Sequence, residues 1–84
     1  MENKNDFFST SEFYLASLLL AKNIKLIRAV KQGNRNIFYF ENGENIEELV
    51  TNFYNNTEMV LASRFVDSIR NLKSLSHNIP HNNF

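Results

Sequence analysis

The side chains with chemical potential in this 84-residue chain are few and scattered. His77 and His81 are its two histidines and it has no cysteine, so disulfides, thiolate metal sites and cysteine nucleophiles drop out together. A His-x-x-x-His pair can chelate zinc from one face of a helix, but Pro80 falls inside this pair and breaks the helix that would stack the rings. Glu44, Glu47 and Glu48 form the densest carboxylate group, a type that can do general acid–base work. No His, Lys or hydroxyl is set beside them by spacing, and the positive end of a helix dipole explains acids at that point better. Ser9, Thr10 and Ser11 lack the glycine-flanked turn of an activated nucleophile and suit helix capping instead. With Gly33 and Gly43 as its two glycines, the chain has no phosphate-cradling loop. The expectation is no catalytic residue, no metal and no cofactor.

Binding chemistry is better represented. Nine basic and nine acidic residues cancel, so the whole molecule exerts no net pull on nucleic acid or anionic lipid. The charges are nevertheless segregated: Lys22, Lys25, Arg28, Lys31 and Arg35 occupy a stretch without acids, and Glu41, Glu44, Glu47, Glu48 and Glu58 one without bases. Lys25, Arg28, Lys31 and Arg35, interleaved with Tyr39, can form a β-ribbon that touches phosphates and stacks a base. Arg70, Lys73 and His77 add a basic flank near the C-terminus, which can serve a partner or pair with the acidic stretch. The plainer reading of the ribbon is a solvated edge whose lysines discourage pairing with other sheets.

The elements that must position these groups follow from pattern. Phe8-Ser9-Thr10-Ser11-Glu12-Phe13 reads as a helix start, with Ser9 as cap, Glu12 as its capping-box partner and Phe8 with Phe13 as a hydrophobic staple. From Phe13 to Ala21 the run is apolar except at Ser17, so this helix should be packed from several sides. It is far shorter than the roughly 20 residues that span a bilayer. Glu2, Lys4 and Asp6 before it are not a secretory leader's net positive charge, so the expected location is cytoplasmic, without membrane contact. Asn23 stands where a left-handed residue should end the helix.

Two alternating β-rich runs, Ile24 to Lys31 and Asn36 to Glu41, flank Gly33-Asn34, a pair suited to a two-residue hairpin loop. That loop would oppose Val30 with Ile37, Ala29 with Phe38, Arg28 with Tyr39 and Ile27 with Phe40. One face then carries Ile27, Ala29, Phe38 and Phe40 into the core, and the other carries Leu26, Val30, Ile37 and Tyr39. Asn45 with Glu48 gives a second cap pattern, and Ile46, Leu49, Val50, Phe53 and Tyr54 follow the spacing of one buried helical face, closed by Asn55-Asn56. A last helix runs from about Leu61 to Leu75 on a stripe of Leu61, Phe65, Ile69 and Leu72 flanked by Ala62, Val66 and Leu75. Met59 to Leu61 fit equally a short third strand before a helix that begins near Ala62 or Ser63. The fold class is α+β, ordered α-β-β-α-α, with a hairpin packed on a central apolar helix. Residues 1–7 are expected to be a flexible arm, 8–76 a single domain and 77–84 a flexible tail.

Four strings identify the chain further: Phe8-Ser9-Thr10-Ser11-Glu12-Phe13-Tyr14-Leu15-Ala16, Ile37-Phe38-Tyr39-Phe40-Glu41, Phe53-Tyr54-Asn55 and Arg70-Asn71-Leu72-Lys73. As a set they resemble the bacterial and bacteriophage family called domain of unknown function 5659, over roughly residues 7 to 75. Glu12 stands where the family pattern suggests Asp, and Asn23 where it suggests Gly; each suits the same cap geometry. The resemblance implies no activity and carries over no site residue.

What remains is a surplus of apolar surface. Leu26, Val30, Ile37 and Tyr39 on the second face of so small a sheet are more than solvent normally sees, which points to cover by the domain's own helices, by a second copy or by another protein. The leading expectation is a non-enzymatic interaction module that binds a protein partner, a homodimer included, in a bacterial or phage setting such as inhibition of a host system. The alternative is a nucleic-acid-binding accessory protein using Lys25, Arg28, Lys31, Arg35, Tyr39, Arg70 and Lys73.

Overall fold

A computed structural model describes residues 7–43 and 45–79. The elements are β1 (Phe7–Thr10), α1 (Phe13–Ala21), β2 (Leu26–Gln32), β3 (Arg35–Glu41), α2 (Ile46–Tyr54) and α3 (Ala62–His77). The class is α+β, and the order is the expected one with a strand added at the front. The strands form an antiparallel sheet in the order β1-β3-β2, so the strand richest in aromatics lies in the middle.

β1 corrects the reading of the helix start. Ser9 and Thr10 pair with Tyr39 and Phe38 across the sheet, so their backbones are committed to a strand and cannot cap a helix. The Thr10 hydroxyl accepts a hydrogen bond from the Glu12 N–H at 3.0 Å, turning the chain out of the strand. Glu12 is the actual cap: its carboxylate accepts the Tyr14 N–H at 3.3 Å. The same change moves Phe7 out of the supposed flexible arm into the sheet, whereas residues 1–6 lie outside the described residues. The third strand is thus β1, and residues 59–61 form an unpaired connection to α3.

α1 is the centre of the domain, as its composition requires. Leu15, Ala16, Ser17, Leu18, Leu19 and Ala21 are all buried. Leu15, Ala16 and Leu19 join Phe38 and Phe40 of β3, Ile46 of α2 and Leu72 of α3 in one core. Each fully buried Leu contributes about 1.5–3 kcal/mol by leaving water. Ser17 is tolerated in this setting because its hydroxyl donates to the Phe13 carbonyl at 3.0 Å. The helix ends as the sequence suggests. Asn23 has φ 67°, and the Asn23 and Ile24 N–H groups donate to the Leu20 and Leu19 carbonyls, both at 3.0 Å, which is a Schellman closure. α2 closes in the same way on Asn56, φ 61°, with Asn56 and Thr57 donating to Phe53 and Asn52.

The hairpin loop is Gly33-Asn34, and Gly33 at φ 61° takes the first central position of a type II′ turn, where a side chain would be strained. From Gln32↔Arg35 to Arg28↔Tyr39 the register matches the expected pairing. It then shifts, because Phe40 pairs with Leu26 and Ile27 is the extra residue of a bulge. Leu26 therefore joins Ala29 against the core, and Ile27, expected inside, is 47% exposed.

The later helices are narrower in their packing than their stripes suggest. Asn45 caps α2 by position but makes no side-chain cap bond, and Tyr54 is exposed although Ile46, Leu49, Val50 and Phe53 pack inward. In α3 the buried residues are Ser68 and Leu72, while Val66 and, just before the helix, Leu61 face solvent. His77 completes α3 and Ile79 is buried, so packed structure reaches past the expected start of the tail; residues 80–84 lie outside the described residues. No helix among the described residues is long and apolar enough to cross a membrane.

Candidate interaction surface

The molecule measures 40 × 38 × 19 Å. A thickness of 19 Å holds two layers spaced by about 10 Å, one of strands and one of helices. Phe38 and Phe40 turn their side chains into the helical layer and are 1% and 0% exposed. By alternation Arg35, Ile37, Tyr39 and Glu41 project from the opposite face of the same strand.

Tyr39 organises that face. The Phe7 ring meets it edge-on at 5.4 Å from β1, and the Arg28 guanidinium lies 4.7 Å from its centroid from β2. A residue of each strand is thus locked to one ring; a cation over an aromatic face is worth about 0.5–1 kcal/mol when exposed. Val30 and Ile37 pair beside them, half-buried by their neighbours. Of the four residues expected on this face, Val30, Ile37 and Tyr39 are there. Leu26 is not, because the bulge at Ile27 turns it to the core. Phe7, at 42% exposure, takes its place and was missed because the capping pattern around Ser9 masked a strand. The aromatic pair Phe7-Phe8 and the β-branched Thr10, types favoured in strands, were the weak signal available.

The basic residues do not converge on one surface. Arg28 is on the open face, and Arg35, on the same face by register, donates to the Ser11 hydroxyl at 3.2 Å. Lys31 pairs with Asn36 on the helix side of the sheet and reaches its side-chain oxygen at 3.4 Å, while Lys25 precedes the bulge and is exposed. Arg70 and Lys73 are exposed on α3, in the helical layer. Among the described residues neither pairs with Glu47 or Glu48, which stand exposed in the first turn of α2. Glu44 and His81 lie outside the described residues.

Lys22 has a structural task. Its ammonium meets the Glu58 carboxylate and the Met59 carbonyl, both at 2.7 Å, and fastens the α2–α3 connection to the end of α1. Arg64 reinforces that end by donating to the Ala21 carbonyl at 3.2 Å, where a helix dipole favours cations. Hydrogen bonds from Lys22 and then Asn52 hold the Glu58 carboxyl below its ordinary value of 4.5. Beside this clasp lies a shallow groove of about 290 Å³, apolar along Leu18, Phe53, Val60 and Phe65; the ionisable side chain lining it is Glu58, already engaged. Among the described residues no three His, Asp or Glu side chains are gathered as metal ligands.

The model of the family described as Domain of unknown function (DUF5659) matches residues 5–78, and the chain belongs to that family. No curated protein and no solved structure matches it.

Proposed function

We propose that this member of the DUF5659 family is a non-enzymatic interaction module whose open sheet face, carried by Phe7, Arg28, Val30, Ile37 and Tyr39, receives a protein. The observation that carries this reading is the Phe7–Tyr39–Arg28 stack, aromatic and cationic, standing on the side of the sheet opposite the helices. Aromatic residues and Arg are the types enriched at protein interfaces, and these are pre-set by their contacts with one another. A nucleic-acid role draws less support, since Arg28 already covers a face of the Tyr39 ring and the other basic residues are dispersed over both layers.

The test is retention of partners by the immobilised full chain, compared with Ile37→Glu and Tyr39→Glu. Both positions lie off the core face, so circular dichroism should show the fold retained. Loss of a specific retained protein, a second copy included, in both variants supports the proposal. Retention unchanged in both contradicts it. Binding that is instead to short DNA or RNA, falls steeply with salt and is lost in Arg28→Ala and Arg35→Ala would replace it with the nucleic-acid reading.

A further inference from the structure

The outward side of β3 reads Arg35, Ile37, Tyr39, Glu41: a cation, an aliphatic, an aromatic and an anion in line. Reversed end to end, the row is complementary to itself. We propose, resting on the reading of this face as a protein-binding surface, that its occupant is a second copy of the chain. The two sheets pack face to face with β3 antiparallel to β3 of the partner, Arg35 meeting the partner's Glu41 and Ile37 meeting the partner's Tyr39.

Two arrangements related by a two-fold axis bring these faces together with their strands aligned. An axis along the strands lays β3 on β3 in the same direction and sets Arg35 on Arg35 and Glu41 on Glu41. An axis across the strands reverses one β3 and sets each charge on its opposite. The charges choose the second, since setting like charge on like charge disfavours the first. The neighbouring strands agree with it. Phe7 is the cross-strand partner of Glu41, so the incoming guanidinium finds a carboxylate beside an aromatic ring. Arg28 and Val30 lie level with Tyr39 and Ile37, so the reversal lays the Arg28 stem over the partner's Val30. Both end charges are exposed, and Arg35 gives up one hydrogen bond, to the neutral Ser11 hydroxyl, to pair with a carboxylate.

The size of the face sets the strength. Two strands of seven residues and one of four, each residue about 3.4 Å long and about 4.8 Å wide, cover about 290 Å², well under the roughly 800 Å² per partner of a standard interface. The dimer is therefore weak, micromolar or weaker, and its end charges orient it more than they tighten it.

Sedimentation velocity of the full chain from about 10 µM to about 1 mM tests this. Wild type should pass from monomer to dimer over that range. R35E and E41R should each weaken self-association at least about tenfold, because two-fold symmetry makes every substitution count twice. An equimolar mixture of R35E with E41R should restore dimer, since each protein then carries one sign at both ends of β3, and the R35E/E41R double variant should restore it alone. A wild type monomeric throughout overturns the proposal, as does dimerisation unaffected by either reversal. If the wild type is monomeric while Ile37→Glu still abolishes retention of a different protein, the second-copy assignment falls and the binding face stands.

Discussion

Replacing Leu26 and Ile27 one at a time by Thr tests the bulge in β2, which decides which side chains belong to which face of the sheet. Thr suits a strand at both positions, so the pair compares burial and not β propensity. Leu26 is half-buried and packs on a core that includes Phe40, itself 0% exposed. Truncating a fully buried Leu costs about 2–5 kcal/mol, and the partial exposure of Leu26 brings this to about 2. Ile27 is 47% exposed and lies opposite no residue of β3, which places its truncation within about 0.5 kcal/mol. For a domain of this size 1 kcal/mol moves the midpoint by about 4–8 °C. Thermal unfolding followed by circular dichroism should therefore fall by about 8–16 °C for Leu26→Thr and by less than about 4 °C for Ile27→Thr. Had the hairpin continued in register, Ile27 would face the core and the order would invert. Equal losses, or a larger one for Ile27→Thr, would show that the division into a packed and an open face is wrong.

Asn23→Ala and Asn56→Ala should each cost about 1 kcal/mol in urea unfolding, because both asparagines have positive φ, and the Gly variants at the same positions should be neutral or slightly stabilising. Ala variants as stable as wild type would mean that the two Schellman closures are not formed. Glu58 has a depressed carboxyl pKa, so its stabilisation is present above the unfolded value of 4.5 and is lost as pH falls through the lower folded value. Glu58→Gln should be less stable than wild type at neutral pH, with the gap closing in acid; a gap constant down to about pH 3 would refute the Lys22–Glu58 clasp. Leu72→Ala, at a position 0% exposed, should cost about 2–5 kcal/mol, whereas Leu61→Ala, at 68% exposure, should change stability by less than about 0.5.

Local chemistry made some of these features legible and non-local pairing hid others. The nine-residue run Phe13 to Ala21 could only be a helix packed from several sides, and Asn23 could only end it, because both facts rest on neighbours in sequence. The hairpin was readable from Gly33-Asn34 as far as Arg28 and Tyr39. It was lost at Ile27 because an isoleucine fits a strand and a bulge alike. β1 was hidden by a real ambiguity: a Ser three residues before a Glu can cap a helix or lie in a strand, and the vacant edge of β3 decides between them from about thirty residues away. Tyr54, Leu61 and Val66 carry the right spacing for burial but sit at the margins of their stripes, beyond the reach of the neighbours that cover Phe53, Phe65 and Leu72. Val30, Ile37 and Tyr39 stand on the expected face because alternation holds along β3 and along β2 as far as the bulge; Phe7 and Leu26 depart from it for the two reasons just given.

The open face owes its form to the strand that also holds the core. Phe38 and Phe40 fix β3 against α1, and a central strand so anchored presents Ile37 and Tyr39 in one orientation. Phe7 and Arg28 then restrain the Tyr39 ring from both neighbouring strands. Side chains already restrained in the free molecule lose little rotamer freedom on association, so a small area can still bind. The same restraint disfavours base stacking, which needs a ring face free of other groups. A restrained patch of aliphatic and aromatic side chains between opposite end charges suits a surface of the same kind, and the reversed face of the same sheet would supply one.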